Sequence, residues 1–155
     1  MSLPIIELTL QTPTVTLTVT AKDAANNTES WKAEFKRYDI KTTKQKLKEF
    51  EDIANLPENF QELSTEQKEE ELEQQDERFK SFVRNELVTF KQIKWFSGGK
   101  LVATIKDTRD CKDIEQLKDI PDVTSVWFDI YWNSAPHKTA LIDTMFLAIR
   151  NTAAK

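Results

Sequence analysis

Cysteine and histidine are almost missing from this chain: its 155 residues hold one of each, Cys111 and His137. A lone cysteine builds no disulfide framework within the chain and leaves the redox compartment unconstrained or reducing. A zinc site made from cysteine and histidine clusters is excluded, and a Cys–His nucleophilic pair would have to join Cys111 to His137. Glycine is nearly as scarce. Gly98 and Gly99 alone give no material for a phosphate-cradling loop or a dinucleotide fingerprint, which need several glycines at fixed spacing. No stretch approaches the ~20 consecutive apolar residues that span a bilayer. Met1–Thr20 lacks the basic and apolar regions of a secretion signal, so the expectation is a soluble, intracellular chain with no membrane partner. Positive charge is not in surplus either. Lys+Arg 22 against Asp+Glu 26, with a pI near 5.2, argues against a nucleic-acid binder. Together these absences point away from an enzyme.

What the chain does have is 39% hydrophobic residues, among them Trp 4, Phe 9 and Tyr 2, in a length suited to one domain. Val15, Leu17, Val19 and Ala21 alternate with Thr14, Thr16, Thr18 and Thr20, the period of a half-buried strand. Trp31, Ala33 and Phe35 alternate with Lys32, Glu34 and Lys36 in a second strand. The Lys22–Ser30 connection, with Asp23, Asn26 and Asn27, supplies turn chemistry for a hairpin. Pro4–Leu10 offers a third strand, and Pro13 places its junction at an edge or bend.

Residues 42–96 read as helical. Thr42 or Thr43 caps a first helix that stops near Leu56, ahead of Pro57. Ser64 and Gln67 form a capping-box signature. From there Phe79, Phe82, Val83, Leu87, Phe90 and Ile93 recur at threes and fours. Between Glu66 and Arg78 only Leu72 is apolar, so residues 58–78 read as an acidic extension, solvated or mobile. After Ser97-Gly98-Gly99, Leu101, Ala103 and Ile105 form a short strand or an extended loop. Asp110 or Asp113 caps a short helix through Ile114 and Leu117. Pro121 opens another helix, with Val123, Val126, Trp127, Ile130 and Tyr131 on its inward face. A last helix after Ser134-Ala135-Pro136 turns Leu141, Ile142, Met145, Phe146 and Ile149 inward. No internal repeat is visible in the sequence. The expected fold is a single α+β domain over residues 1–155: an N-terminal antiparallel hairpin or small sheet over 1–40, then four to five helices over 41–155.

Charge is segregated. Residues 32–48 carry seven cations against two carboxylates, a local net of +5, and residues 49–79 carry twelve carboxylates against two cations, a local net of −10. Such runs are ordinarily solvated faces, although the basic run also suits docking of an acidic partner. Glu69, Glu73 and Glu77 lie four apart, yet no apolar neighbour desolvates them as acid–base catalysis requires. A hydrolase on this helix would need a cleft lined by those carboxylates. His137, in the first turn of the last helix, reads as a surface or capping residue, and Cys111, in a polar run, as a free surface thiol. The segment Trp127-Phe128-Asp129-Ile130-Tyr131-Trp132 is apolar on two faces. It is therefore either deeply buried or packed on a second chain, and the chain's small size and high charge favour the second. Trp95, Phe128, Tyr131 and Trp132 are then the anchors of a partner surface, with Lys36, Arg37 and Lys41 steering the encounter.

In the order of its parts the chain resembles the small tail assembly chaperones of long-tailed, siphovirus-type bacteriophages. The resemblance rests on the basic-aromatic strand Ala33-Glu34-Phe35-Lys36-Arg37 and on Phe90–Gly99 with Trp95 near glycine. It also rests on Leu117-Lys118-Asp119-Ile120-Pro121-Asp122-Val123 leading into an aromatic helix, and it covers roughly residues 14–150. It implies a non-catalytic protein of the host cytoplasm, without cofactor or metal, that is absent from the mature virion. Such a chaperone binds the tape measure protein in multiple, weakly self-associating copies before tail tube protein polymerises. It also implies a longer frameshifted form that recruits tail tube protein, with which Asn151–Lys155 is compatible. The rival reading is a structural tail subunit, a terminator or connector, retained in the particle.

Overall fold

Alternating threonine and aliphatic residues make β1 (Thr14–Lys22), and Trp31, Ala33 and Phe35 alternating with charged residues make its partner β2 (Thr28–Lys36), in a computed structural model that describes residues 13–150. The register runs without slippage from Thr14 opposite Lys36 to Lys22 opposite Thr28. It buries Val19, Ala21, Trp31, Ala33 and Phe35 and leaves the threonines outside. The connection is residues 23–27, shorter than the expected Lys22–Ser30, because the ladder continues to its last pair. Asp23 Oδ1 accepts from the Ala25 and Asn27 amides at 2.9 Å each, and Asn26 takes the left-handed conformation (φ 66°) that asparagine tolerates. The expected strand over Pro4–Leu10 and the segment Asn151–Lys155 lie outside the described residues.

α1 (Ile40–Ala54) is capped by Asp39, whose carboxylate accepts from the Thr42 amide at 2.7 Å. The threonines expected in that role are already inside the first turn, and a carboxylate accepts the first-turn amides as well as a hydroxyl does. After a single 3₁₀ turn over Phe60–Glu62, α2 (Thr65–Glu86) opens on the capping box, both of whose bonds are formed between Ser64 and Gln67. The acidic stretch from Thr65 onward is therefore helix. It is tied down by polar rather than apolar groups: Gln75 Nε2 donates to the carbonyls of Ile53 and Ala54 at 3.1 Å each, closing the end of α1.

Past Glu86 the helical reading fails. Residues 87–97 form β3 (Leu87–Ser97), which pairs with β2 and with β4 (Lys100–Asp107), so the 41–155 region contains half of the sheet. Leu87, Phe90 and Ile93 do recur at threes, but for a reason other than helix. The β2–β3 register shifts between Glu34 and Phe35, and Gln92 takes a positive φ of 56°, so β3 loses its two-residue period twice. The sheet is four-stranded and antiparallel in the order β1-β2-β3-β4. The stretch over 110–117, expected as a short helix, is a succession of single turns. The amides of Ile114, Leu117 and Ile120 each reach back three residues, a spacing that matches the period of these three apolar side chains.

α3 (Val123–Trp132), capped by Asp122, and α4 (Ala135–Arg150) complete the fold. α4 runs along β1, and its Leu141, Met145, Ala148 and Ile149 join Phe35, Phe90, Val83 and Ile105 in the core. Phe50, Phe79, Phe82 and Phe146 gather where α1, α2 and α4 meet. The chain is α+β, with four α-helices among the described residues. Among those residues no helix is long and apolar enough to cross a membrane.

Candidate functional site

The aromatic residues of α3 are where the sequence reading needs its main correction. Phe128, Tyr131 and Trp132 are all buried, at 2%, 4% and 3% exposure, inside the chain's own core. Phe128 and Trp132 stack at 5.5 Å beneath α2, where Asp76 accepts the Trp132 indole N–H at 3.2 Å. Tyr131 packs on Trp31 of β2 at 4.1 Å. The second apolar face of α3 thus meets another part of the same chain: the polar helix α2 covers it, using Asp76 and the Arg84 guanidinium, which lies 6.0 Å from the Phe128 ring. These three rings are unavailable as surface anchors.

The open surface lies on the remaining stripe of α3. Val126 and Ile130, expected to face inward, are 37% and 54% exposed. With 123/127/131 and 128/132 both buried, a helix has only one direction left, and 126/130 occupies it. Opposite this stripe stands the end of the β3–β4 hairpin. There Trp95, half-buried, meets Trp127 edge-on at 5.4 Å. Beyond it the cross-strand pair Phe96 and Leu101 is more than half exposed. Between hairpin and helix runs a groove of about 480 Å³, floored by Ile93, Trp127 and Tyr131 and closed on a third side by Leu117 and Ile120. Its volume falls in the range of ordinary binding cavities, roughly 300–1,000 Å³.

One end of the groove is polar. Glu29, Ser134 and His137 line it together with Tyr131. Burial, and then the negative charge of Glu29, push the Tyr131 phenol's pKa up, and among the described residues its hydroxyl has no hydrogen-bond partner. Of the partner-surface residues singled out from sequence, only Trp95, in its wall, and Tyr131, in its buried floor, belong to the groove. Lys36, Arg37 and Lys41 do not: Lys36 ends β2 while Glu29 lies near its start, seven residues and about 23 Å away along the strand, and Lys41 follows in α1.

Two other sequence readings change. Cys111 is buried at 5% exposure, its thiol donating to the Asp107 carbonyl at 3.4 Å. Burial first, and then the carboxylates of Asp113, Asp107 and Asp110, push its pKa up, the opposite of an activated thiol. His137 is neither a free surface residue nor Cys111's partner. Its ring nitrogens meet Ser134 and Glu29. The Glu69, Glu73 and Glu77 carboxylates stand exposed on α2, as a solvated face would place them. Sequence reasoning missed Phe96, Val126, Ile130, Glu29 and Ser134 as groove residues. Phe96 carried a signal, as an aromatic next to Trp95 just before a two-glycine turn. Glu29 carried none, because only the β1–β2 fold brings it to the α3–α4 junction. No family model matches the chain, and no curated protein or solved structure matches it.

Proposed function

We propose that the chain is an assembly chaperone that holds an apolar helical segment of another protein in the groove between α3 and the β3–β4 hairpin. The carrying observation is the exposure of Phe96, Val126 and Ile130 around a ready-made apolar channel in a chain that is 31% charged. Surfaces of this kind, apolar at the centre and polar at the rim, are what partner chains bury. A partner helix laid in such a groove presents its own stripe of residues three and four apart. Within the resemblance to phage tail assembly chaperones, that partner is the tape measure protein, held before tail tube protein polymerises around it. The exposed carboxylates of α2 keep the loaded complex soluble, and the cations of Lys36, Arg37 and Lys41 speed the approach of an acidic segment.

The test is co-expression with a tape measure protein. The chain should keep that partner soluble and co-purify with it. The double variant Phe96→Asp/Ile130→Asp changes only exposed side chains, so it should fold normally and bind at least tens of times more weakly, the effect expected of central aromatic and aliphatic anchors. Undiminished recovery of soluble partner with this variant overturns the proposal.

A further inference from the structure

The polar end of the groove holds three linked side chains that partner binding does not call for. Ser134 Oγ lies 2.6 Å from His137 Nδ1, and His137 Nε2 lies 3.3 Å from Glu29 Oε2. The imidazole is fixed in plane by stacking on Tyr131 at 5.3 Å and 7°, and on Trp31 at 5.5 Å and 29°. A hydroxyl bonded to an imidazole whose other nitrogen is held by a carboxylate is the arrangement that activates a serine, and geometry rather than chain order identifies it. In the tautomer that donates Nε2–H to Glu29, Nδ1 is the acceptor for the Ser134 hydroxyl proton. Pro136 has no N–H, and the amides of Ala135 and His137 fall in the first turn of α4, where a helix offers them no acceptor.

We propose that Ser134, His137 and Glu29 form an acyl-transfer site that hydrolyses small carboxylic esters with apolar acyl groups. Ser134 Oγ bonds to the acyl carbon of the ester as its proton passes to His137 Nδ1. The bond from that carbon to the alcohol oxygen then breaks, and the alcohol leaves with the proton. Water repeats the exchange: its oxygen bonds to the acyl carbon, its proton passes to Nδ1, and Ser134 recovers that proton as the acid departs. Ser134 and His137 are the catalytic residues. Glu29 is a positioning residue that holds the ring while Nδ1 is protonated, and the apolar walls at Trp95 and Ile130 receive the acyl chain. This activity uses the polar end of the groove that the proposed partner segment also enters, with Ile130 common to both.

The experiment is hydrolysis of p-nitrophenyl butyrate by the full chain, together with labelling by a fluorophosphonate probe and peptide mass spectrometry. The wild-type chain should turn the ester over and carry one adduct, on the Ser134 peptide. Ser134→Asn retains a side chain able to cap α4 but has no nucleophile. It and His137→Gln should each lower kcat at least 100-fold with KM little changed. Glu29→Gln should lower kcat by about tenfold or more and slow labelling in parallel. No turnover above buffer, an adduct that is missing or sits elsewhere, or a Ser134→Asn variant as fast as wild type would each overturn the site and leave Ser134 and His137 as a capping pair of α4. The adduct on the wild-type chain decides the matter even if a variant fails to fold.

Discussion

Asp107 is pulled in two directions. Burial pushes its carboxyl pKa up, but the Arg109 side chain bonds it at 2.8 and 3.2 Å, the Thr89 hydroxyl at 2.6 Å and the Arg109 amide at 2.9 Å, and together they hold it down to about 2. The ordinary aspartate value is about 3.9, so the folded chain binds this proton less readily than the unfolded one. That difference is worth about 2 kcal/mol of stability, fully present above about pH 4 and lost as the pH falls from there towards 2. Asp107→Asn should therefore cost about 2 kcal/mol at pH 7 and flatten the wild-type loss between pH 4 and 2, read by urea denaturation across that range. Identical pH dependence in both proteins would refute the assignment. The same residue anchors a buried hydroxyl chain, Thr89 to Thr108 at 2.9 Å and Thr108 to Thr124 at 2.6 Å, that seats α3 against the end of β4. Glu86 is a buried carboxyl. It is 1% exposed and meets Lys46 Nζ at 3.0 Å, and that ammonium lies over the rings of Tyr38 and Phe82, so a basic residue of α1 that composition files under surface charge is in fact a counter-ion.

The β3–β4 hairpin sets the hairpin wall of the groove, and its turn is two glycines, both left-handed (φ 59° and 78°) between the paired Ser97 and Lys100. This is the two-residue turn whose twist suits a hairpin. A methyl group at either glycine meets no atom within 4 Å, so the cost of adding one is conformational alone. Gly98→Ala/Gly99→Ala should lose about 2 kcal/mol, roughly 1 for each residue forced left-handed, whereas Gly98→Asn should lose less than half of its share. Equal midpoints for all three proteins in urea would contradict this. The turn also marks the boundary of what the sequence makes legible. The β1–β2 hairpin, the stop before Pro57, the Ser64–Gln67 capping box and the start of α4 could be read because each is written locally, in alternation, proline or a capping pair. The α2–β3 junction could not. Leu87, Phe90 and Ile93 continue the spacing of Phe79, Phe82 and Val83 by accident, since two irregularities in one strand imitate a helical period. The groove was legible only at Trp95 and Tyr131, because which stripe of α3 stays open depends on α2 lying over Phe128 and Trp132, a contact made through Asp76 and invisible to a search for apolar partners.

The succession of hairpin, helix pair, hairpin, helix pair is stitched together in two ways. Pairing of β2 with β3 makes one sheet from the two hairpins, and polar contacts fasten α2 to its neighbours. The first half of α2 has little else: Leu72 is 45% exposed, and the bonds from this stretch run from Gln75 to the end of α1 and from Asp76 to Trp132 and Lys138 of α3 and α4. A helix held so sparsely should open by itself, well below the free energy of global unfolding. Burial raises the Asp76 pKa, but the hydrogen bonds from Lys138 at 2.8 Å and from the Trp132 indole outweigh it and leave the carboxyl below its ordinary value. The sign follows: protonation in the unfolded or opened helix is easier than in the closed one, so the anchorage is present above about pH 4 and weakens as acid titrates the carboxyl below that. Asp76→Ala should speed amide hydrogen exchange across residues 65–78 at neutral pH by about tenfold, the equivalent of roughly 1.4 kcal/mol lost from local closure, with β1–β4 unchanged. Wild-type protein brought to pH 3 should loosen over residues 65–78 by more than the global loss at Asp107 adds to β1–β4, once intrinsic exchange rates are corrected for pH. Uniform acceleration through sheet and helix alike would mean that α2 opens only with the rest of the chain, and that its carboxylates decorate the fold without fastening it.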